Sequence, residues 1–350
     1  MTMAEEIQNG DGTWIFIAPI KGLILTKAVN FEYKVDHVTF ISSSHLPYRR
    51  KRFGFPYTIS GLRKKHHKCF NEFFSKETTF ATLRLQGKGK DLREKCLRLV
   101  REELAILSLS QLGYGRRKHN AYPMIYKEHT SGITNYLLFN SDKLSITQNK
   151  QIIGKINRLV LDKRWKNFQS KVFFLNLVKI ISKKINVRRS WQKDIKNAAI
   201  LAGQSQCSSD IPQSFLWNMI AIELLLTRQG DKYLNALPER AEAFLGWAVD
   251  WKKAKYEERI REIYEKRCKF VHNGNREAIT IKDVLFSDDL LLNVINNIVK
   301  YPKLFFSKEK LIKFSEKVKA EHLLGIKPKV RPESLQFFNI HYRNDDFKKI

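Results

Sequence analysis

Cysteine is scarce in this chain: four residues in 350, at Cys69, Cys96, Cys207 and Cys268. No short spacing joins them, which excludes a disulfide framework and a four-cysteine zinc site and points to a reducing, cytoplasmic setting. Long apolar runs are also missing. The densest stretches, 172–178 and 290–299, are short and broken by Asn or Lys, so neither spans a bilayer. The opening Met1-Thr2-Met3-Ala4-Glu5-Glu6 is acidic and lacks the basic-then-apolar layout of a secretory leader. A G-x-x-x-x-G-K-[ST] loop is absent, as is a G-x-G-x-x-G following a strand, which removes the usual supports for nucleoside triphosphate hydrolysis and dinucleotide redox chemistry. Acidic residues are few: 35 against 64 Lys and Arg, a formal charge of +29.

That excess is far beyond what keeps a domain soluble and calls for a polyanionic partner, with phosphate contacts as the best account. It is unevenly placed. Residues 1–200 hold 38 basic and 15 acidic side chains, whereas 201–350 hold 26 and 20. Three clusters stand out as RNA-binding candidates: Arg49-Arg50-Lys51-Arg52, Arg63-Lys64-Lys65 with His66-His67-Lys68, and Arg116-Arg117-Lys118. A fourth basic region runs from Lys163 to Lys196. His66, His67 and Cys69 are potential metal ligands, but the neighbouring cations oppose a metal ion and no second ligand cluster accompanies them.

The patterning predicts an α+β N-terminal domain over 1–148, a basic helical connector over 149–204, an all-α antiparallel bundle over 205–325 and a tail over 326–350. Strands are expected at Trp14–Ile17, at Phe31–Val35 continued by Val38–Ile41, and at Thr78–Leu85. A further pair is expected at Tyr122–Tyr126 and Ile133–Phe139, turning at Thr130-Ser131-Gly132. Leu92, Cys96, Val100 and Leu104 recur every four residues and mark a helix. Helices are expected at Lys150–Leu161, Trp165–Lys184 and Trp191–Gly203. The next begins at Asp210-Ile211-Pro212, with Phe215, Met219, Ile222 and Leu226 as its stripe, and another at Pro238-Glu239. Then come Tyr256–Phe270, a helix opened by the box Thr280-Ile281-Lys282-Asp283, and Ser307–Leu324. Short loops between them favour antiparallel neighbours.

One constellation carries chemistry. Arg267 and His272 are separated by four residues, with Gly274 as a helix stop. RNA supplies its own nucleophile, the 2′-OH. Its cleavage needs a proton-transfer group, which His provides near neutrality, and a cation for the phosphorane charge, which Arg provides as a planar fork. No metal or other cofactor is needed. If the helix ends between the two, both can face one cleft. The spacing alone is a weak motif; the plain alternative is a helix-terminal His beside a surface Arg. Glu223 is a candidate to orient Arg267, and Lys269 and Arg276 to guide phosphate.

Three stretches resemble the HEPN superfamily and, within it, the ApeA-like group. Phe215-Leu216-Trp217-Asn218-Met219-Ile220-Ala221-Ile222-Glu223-Leu224-Leu225-Leu226 resembles its aromatic-rich helix with an A-x-E-x-L-L run. Leu237–Gly246 is similar to the next helix. Arg267-Cys268-Lys269-Phe270-Val271-His272-Asn273-Gly274 resembles its R-x4-H signature followed closely by Gly. The likeness covers about 195–325. It implies a HEPN-like bundle, a metal-independent endoribonuclease acting as a homodimer, and a role as toxin or antiphage effector, with an inhibitory or activating partner in prospect. Carried over, Arg267 and His272 are catalytic; Glu223, Cys268, Lys269 and Asn273 are supporting candidates around them on this chain's own residues, and Cys268 stands where many relatives carry a small polar residue. The competing reading is a non-catalytic nucleic-acid-binding protein that uses the bundle to dimerise. A metal-dependent DNA-processing enzyme is disfavoured for want of a carboxylate set.

Overall fold

The computed structural model describes residues 11–49, 52, 79–125, 136–139, 144–147, 157–245 and 255–326. They form two compact units, one within 1–108 and 120–168, the other within 109–119 and 169–350. The boundary therefore falls near 168 rather than 148, and the expected connector is divided between the two units.

The first unit is built on an antiparallel sheet. Its strands are β1 (Asp11–Lys21), β3 (Glu32–Lys34), β4 (Thr39–Ser42), β5 (Thr79–Lys88), β6 (Met124–Ile125), β7 (Tyr136–Phe139) and β8 (Leu144–Thr147), in the order β3-β4-β5-β1-β7-β8 with β6 also on β1. β1 is central, and Trp14 through Ile20 are buried without a break, as expected of a strand covered on both faces. Pro19 lies opposite Phe80 of β5, and on the other edge of β1, among the described residues, β7 pairs with 15–17 and β6 with 20–21. Of the pair expected at 122–126 and 133–139, the described strands β6 and β7 each pair with β1, and residues 126–135, with the turn proposed at 130–132, lie outside the described residues. Val38–Ile41 does not prolong β3. It folds back on it, Tyr33 opposite Phe40. The hairpin turn is held by Glu103 of α2 (Gly89–Leu109), whose carboxylate accepts the N–H groups of Asp36, His37 and Val38 at 2.9, 2.7 and 3.0 Å. Leu92, Cys96, Val100 and Leu104 are buried on that helix, as their spacing predicts. Leu159–Leu161 is not helical: it is β9, parallel to β2 (Leu23–Leu25). Residues 150–156 lie outside the described residues.

The second unit is helical. With α1 (Leu46–Arg49) and α2 in the first unit and α3 (Lys163–Lys171) running across residue 168, its helices are α4 (Phe174–Ile181), α5 (Arg189–Cys207), α6 (Ile211–Leu226), α7 (Tyr233–Leu245), α8 (Tyr256–Asn273), α9 (Ile281–Lys300) and α10 (Lys308–Leu323). The single helix expected over 165–184 is broken where Phe173 takes a left-handed φ of 53°. α6 starts as predicted on Asp210, which accepts from Gln213 N at 3.0 Å, and buries Phe215, Met219, Ile222 and Leu226; such a cap contributes about 1 kcal/mol. α7 starts five residues before Pro238, so proline is internal rather than initial. Its missing N–H frees the Leu234 carbonyl, and Arg261 Nη1 of α8 fills the gap at 2.8 Å. Asp283 accepts from Thr280 N at 2.7 Å and so closes the start of α9. α6 packs against α5 and α9, and α7 against α8 and α10. Among the described residues no helix is long and apolar enough to cross a membrane.

Candidate functional site

α8 carries the Arg–His constellation. Ile260 and Ile263 anchor its inner face. Its end is set by Gly274, at φ 67°, whose N–H reaches Phe270 O at 3.0 Å. A side chain there would meet no atom within 4 Å, so the requirement is purely one of left-handed backbone.

Arg267 points at α6. Its Nη2 donates to Glu223 Oε2 at 3.0 Å, and Nε lies 2.9 Å from Oε1. The second contact is an ion pair without hydrogen-bond alignment: both atoms are buried and neither has an aligned partner. The fork is therefore held but not saturated. Arg276 Nη2 pairs with Asp210 Oδ2 at 2.5 Å. The two pairs, 267 with 223 and 276 with 210, run in opposite senses, so α6 and α8 are antiparallel. Burial raises the Glu223 carboxyl and the Arg267 charge pulls it back only in part. Tyr264, one turn before Arg267, is pushed up to about 12 by burial, by its bond to Cys268 and by the Glu223 charge. Arg267 thus sits among Glu223, Tyr264 and Cys268.

His272 is exposed, as are Lys269 and Asn273, and Cys268 is half-buried. The helix does not terminate between Arg267 and His272 but runs through Asn273. Five residues of α-helix turn through about 140°. The expectation that one chain turns both side chains toward one cleft is corrected accordingly: Arg267 faces α6 and His272 faces solvent.

The basic candidates separate. Arg50, Lys51, Arg63, Lys64 and Lys65 lie outside the described residues, as do His66, His67 and Cys69. Arg49 and Arg52 are exposed, yet both approach Glu32, at 3.9 and 3.2 Å. Arg116 and Lys118 are half-buried. Arg117 is corrected from phosphate ligand to core residue. Its side chain is 5% exposed and its Nη1 spans both Asp288 oxygens at 2.9 and 2.7 Å. Its Nη2 donates to Ser205 Oγ at 2.9 Å and to the Ser205 carbonyl. Asp288 also accepts from Gln206 Nε2 at 2.9 Å and Asn218 Nδ2 at 2.7 Å. A charge run gave no sign of this, because the acid lies 171 positions away. Tyr264 is the neighbour of Arg267 that the sequence reading missed.

Among the described residues no group of three His, Cys, Asp or Glu is placed to hold a metal ion. Comparison with family models, curated proteins and solved structures returns no match to this chain.

Proposed function

We propose that this chain is a metal-independent endoribonuclease of the HEPN type, acting as a homodimer in the cytoplasm as a toxin or antiphage effector. The observation that carries the reading is the Arg267–Glu223 pair on antiparallel α6 and α8, with exposed His272 in the last turn of the same helix. A carboxylate that fixes a guanidinium by one aligned bond, and leaves its other donors short of partners, is a way to orient a phosphate ligand in advance.

In the reaction, His272 takes the 2′-OH proton as the 2′-oxygen attacks phosphorus. Arg267 balances the charge that builds on the non-bridging oxygens. The P–O5′ bond breaks, O5′ takes a proton, and the products are a 2′,3′-cyclic phosphate and a 5′-OH. The separation of about 140° around α8 supports a dimer, because one phosphate can be reached by both groups when they come from different protomers.

The second reading, a non-catalytic RNA-binding protein with a dimerising bundle, is favoured by one observation: Arg267 is already neutralised by Glu223. Cleavage of total RNA in EDTA separates the two. Wild type is expected to cut, leaving cyclic ends, and His272→Ala at equal folded concentration to cut at least about 100-fold more slowly. If neither protein cuts and both bind RNA equally, the nuclease reading falls.

A further inference from the structure

Ten basic residues of the helical unit come together at one end of it, in a place the Arg–His constellation does not use. Two corners meet there. At the first, α4 ends and α5 begins: Gln192 Nε2 of α5 donates to Ile180 O and Ile181 O of α4 at 2.7 and 3.2 Å. At the second, α9 runs through residues 301–307 into α10. The two are joined by Arg188 N to Phe306 O at 2.9 Å and by Trp191 Nε1 to Phe305 O at 2.9 Å. Residues 179–194 and 300–310 contain ten Lys and Arg and two carboxylates. Both carboxylates are occupied, Asp194 by Lys308 Nζ at 2.7 Å and Glu309 by Arg188 Nη1 at 3.1 Å. Lys183, Lys184, Arg189, Lys193 and Lys303 are exposed and, among the described residues, have no acidic partner.

Two features of the backbone make this more than a solvated charged face. First, α5 begins with the wrong charge. Its N-cap is Arg188, whose side chain carries only donors, its first turn holds no acid, and Arg189 follows. The positive end of a 19-residue helix thus faces cations, an arrangement that an external anion relieves. Second, Lys183 sits at the left-handed position that closes α4, φ 61°, with Lys184 N returning to Lys179 O at 2.7 Å. Glycine is the residue that fits such a position without strain; here a long cation is kept instead.

We propose that this end of the helical unit is a docking surface for the RNA phosphate backbone, seated on the α5 N-terminus between Lys183, Lys184, Arg189 and Lys193. The inference rests on RNA being the ligand, as in the proposed function, but not on cleavage.

The test uses the full chain and a fluorescein-labelled RNA oligonucleotide, titrated by anisotropy across a salt series. Replacing Lys183, Lys184, Arg189 and Lys193 together by Ser is expected to weaken binding about ten-fold or more. It is also expected to flatten the slope of log affinity against log salt by about 3, four contacts at roughly 0.7–0.9 each. Lys183→Gly alone is expected to raise the melting temperature and still weaken RNA binding, which a purely structural lysine would not do. Unchanged affinity and slope in the folded quadruple variant overturns the proposal. So does binding of the wild type to vesicles of anionic phospholipid without binding to the RNA. His272→Ala serves as the control for the other reading. If it abolishes cutting while the quadruple variant binds normally, the nuclease stands and the docking surface falls. If the quadruple variant loses binding while no protein cuts, the docking surface stands and the nuclease falls.

Discussion

Arg117 offers the sharpest contrast between what a basic cluster suggests and what it does. Replacing it by Met keeps most of the stem and removes the charge, leaving Asp288 buried with Gln206 and Asn218 as its remaining donors. Breaking one partner of a buried pair costs about 3–5 kcal/mol; the two surviving amide donors place this case at the lower end, about 3 kcal/mol. At roughly 2–4 °C per kcal/mol for a unit of this size, the melting temperature is expected to fall by about 6–12 °C. Adding Asp288→Asn removes the stranded charge and keeps an acceptor, so the double variant is expected to recover about 1–3 kcal/mol relative to Arg117→Met. The assay is thermal or urea unfolding of the four proteins of the cycle, followed by RNA anisotropy well below the melting temperature. There the salt slope of Arg117→Met should equal that of the wild type, whereas loss of a phosphate contact would lower it by nearly one. A melting temperature within 1 °C of wild type, together with a reduced salt slope, refutes the assignment of Arg117 to the core.

Two further outcomes follow from buried polar contacts. Burial pushes the Glu103 carboxyl from 4.5 up to about 7, against the three backbone N–H groups that favour its charge. Between those values the folded chain keeps a proton that the unfolded chain has lost, so this residue's contribution to stability is full below pH 4.5 and declines as pH rises to about 7, by up to about 3 kcal/mol. Urea midpoints at pH 5 and 7.5 for wild type and Glu103→Gln test this: the advantage of wild type over the variant should shrink at the higher pH, and a difference that is flat with pH contradicts it. In α7, Arg261→Ala should cost about 1 kcal/mol by leaving the Leu234 carbonyl to water, and the cost should largely vanish in a Pro238→Ala background, where the helix satisfies that carbonyl itself. Equal costs in both backgrounds, read from urea unfolding, would rule out the proposed repair.

Local signals were legible wherever a residue's own neighbours decide the outcome. The four-residue stripes of α2 and α6 give their buried faces, Asp210 and Asp283 mark helix starts, and Gly274 marks the end of α8. Illegibility begins where a distant segment decides. Leu159-Val160-Leu161 is too short to declare a period, and becomes a strand because β2 offers an edge. The α3–α4 break at Phe173 has no Gly or Pro to announce it. Pro238 is a good first-turn residue, and only Arg261, from the next helix, makes it acceptable in the interior.

The candidate site divides along the same line. Glu223 is in the sequence only a candidate to orient Arg267, and the structure places its Oε2 3.0 Å from Arg267 Nη2. Arg117 and Lys183 look alike as members of basic runs. They differ in whether an acid elsewhere in the chain comes within reach. Asp288 does so for Arg117 and withdraws it from any phosphate, whereas the two acids near Lys183, Asp194 and Glu309, are taken by Lys308 and Arg188. A net charge of +29 therefore overstates the surface available to a polyanion by every cation so withdrawn, and understates its focus. Four of the cations that remain, Lys183, Lys184, Arg189 and Lys193, are brought together at a helix terminus, where the peptide dipoles add to their field. Salt dependence measured variant by variant counts those cations directly, because losing a withdrawn arginine leaves the slope alone, while losing an exposed lysine that meets phosphate lowers it.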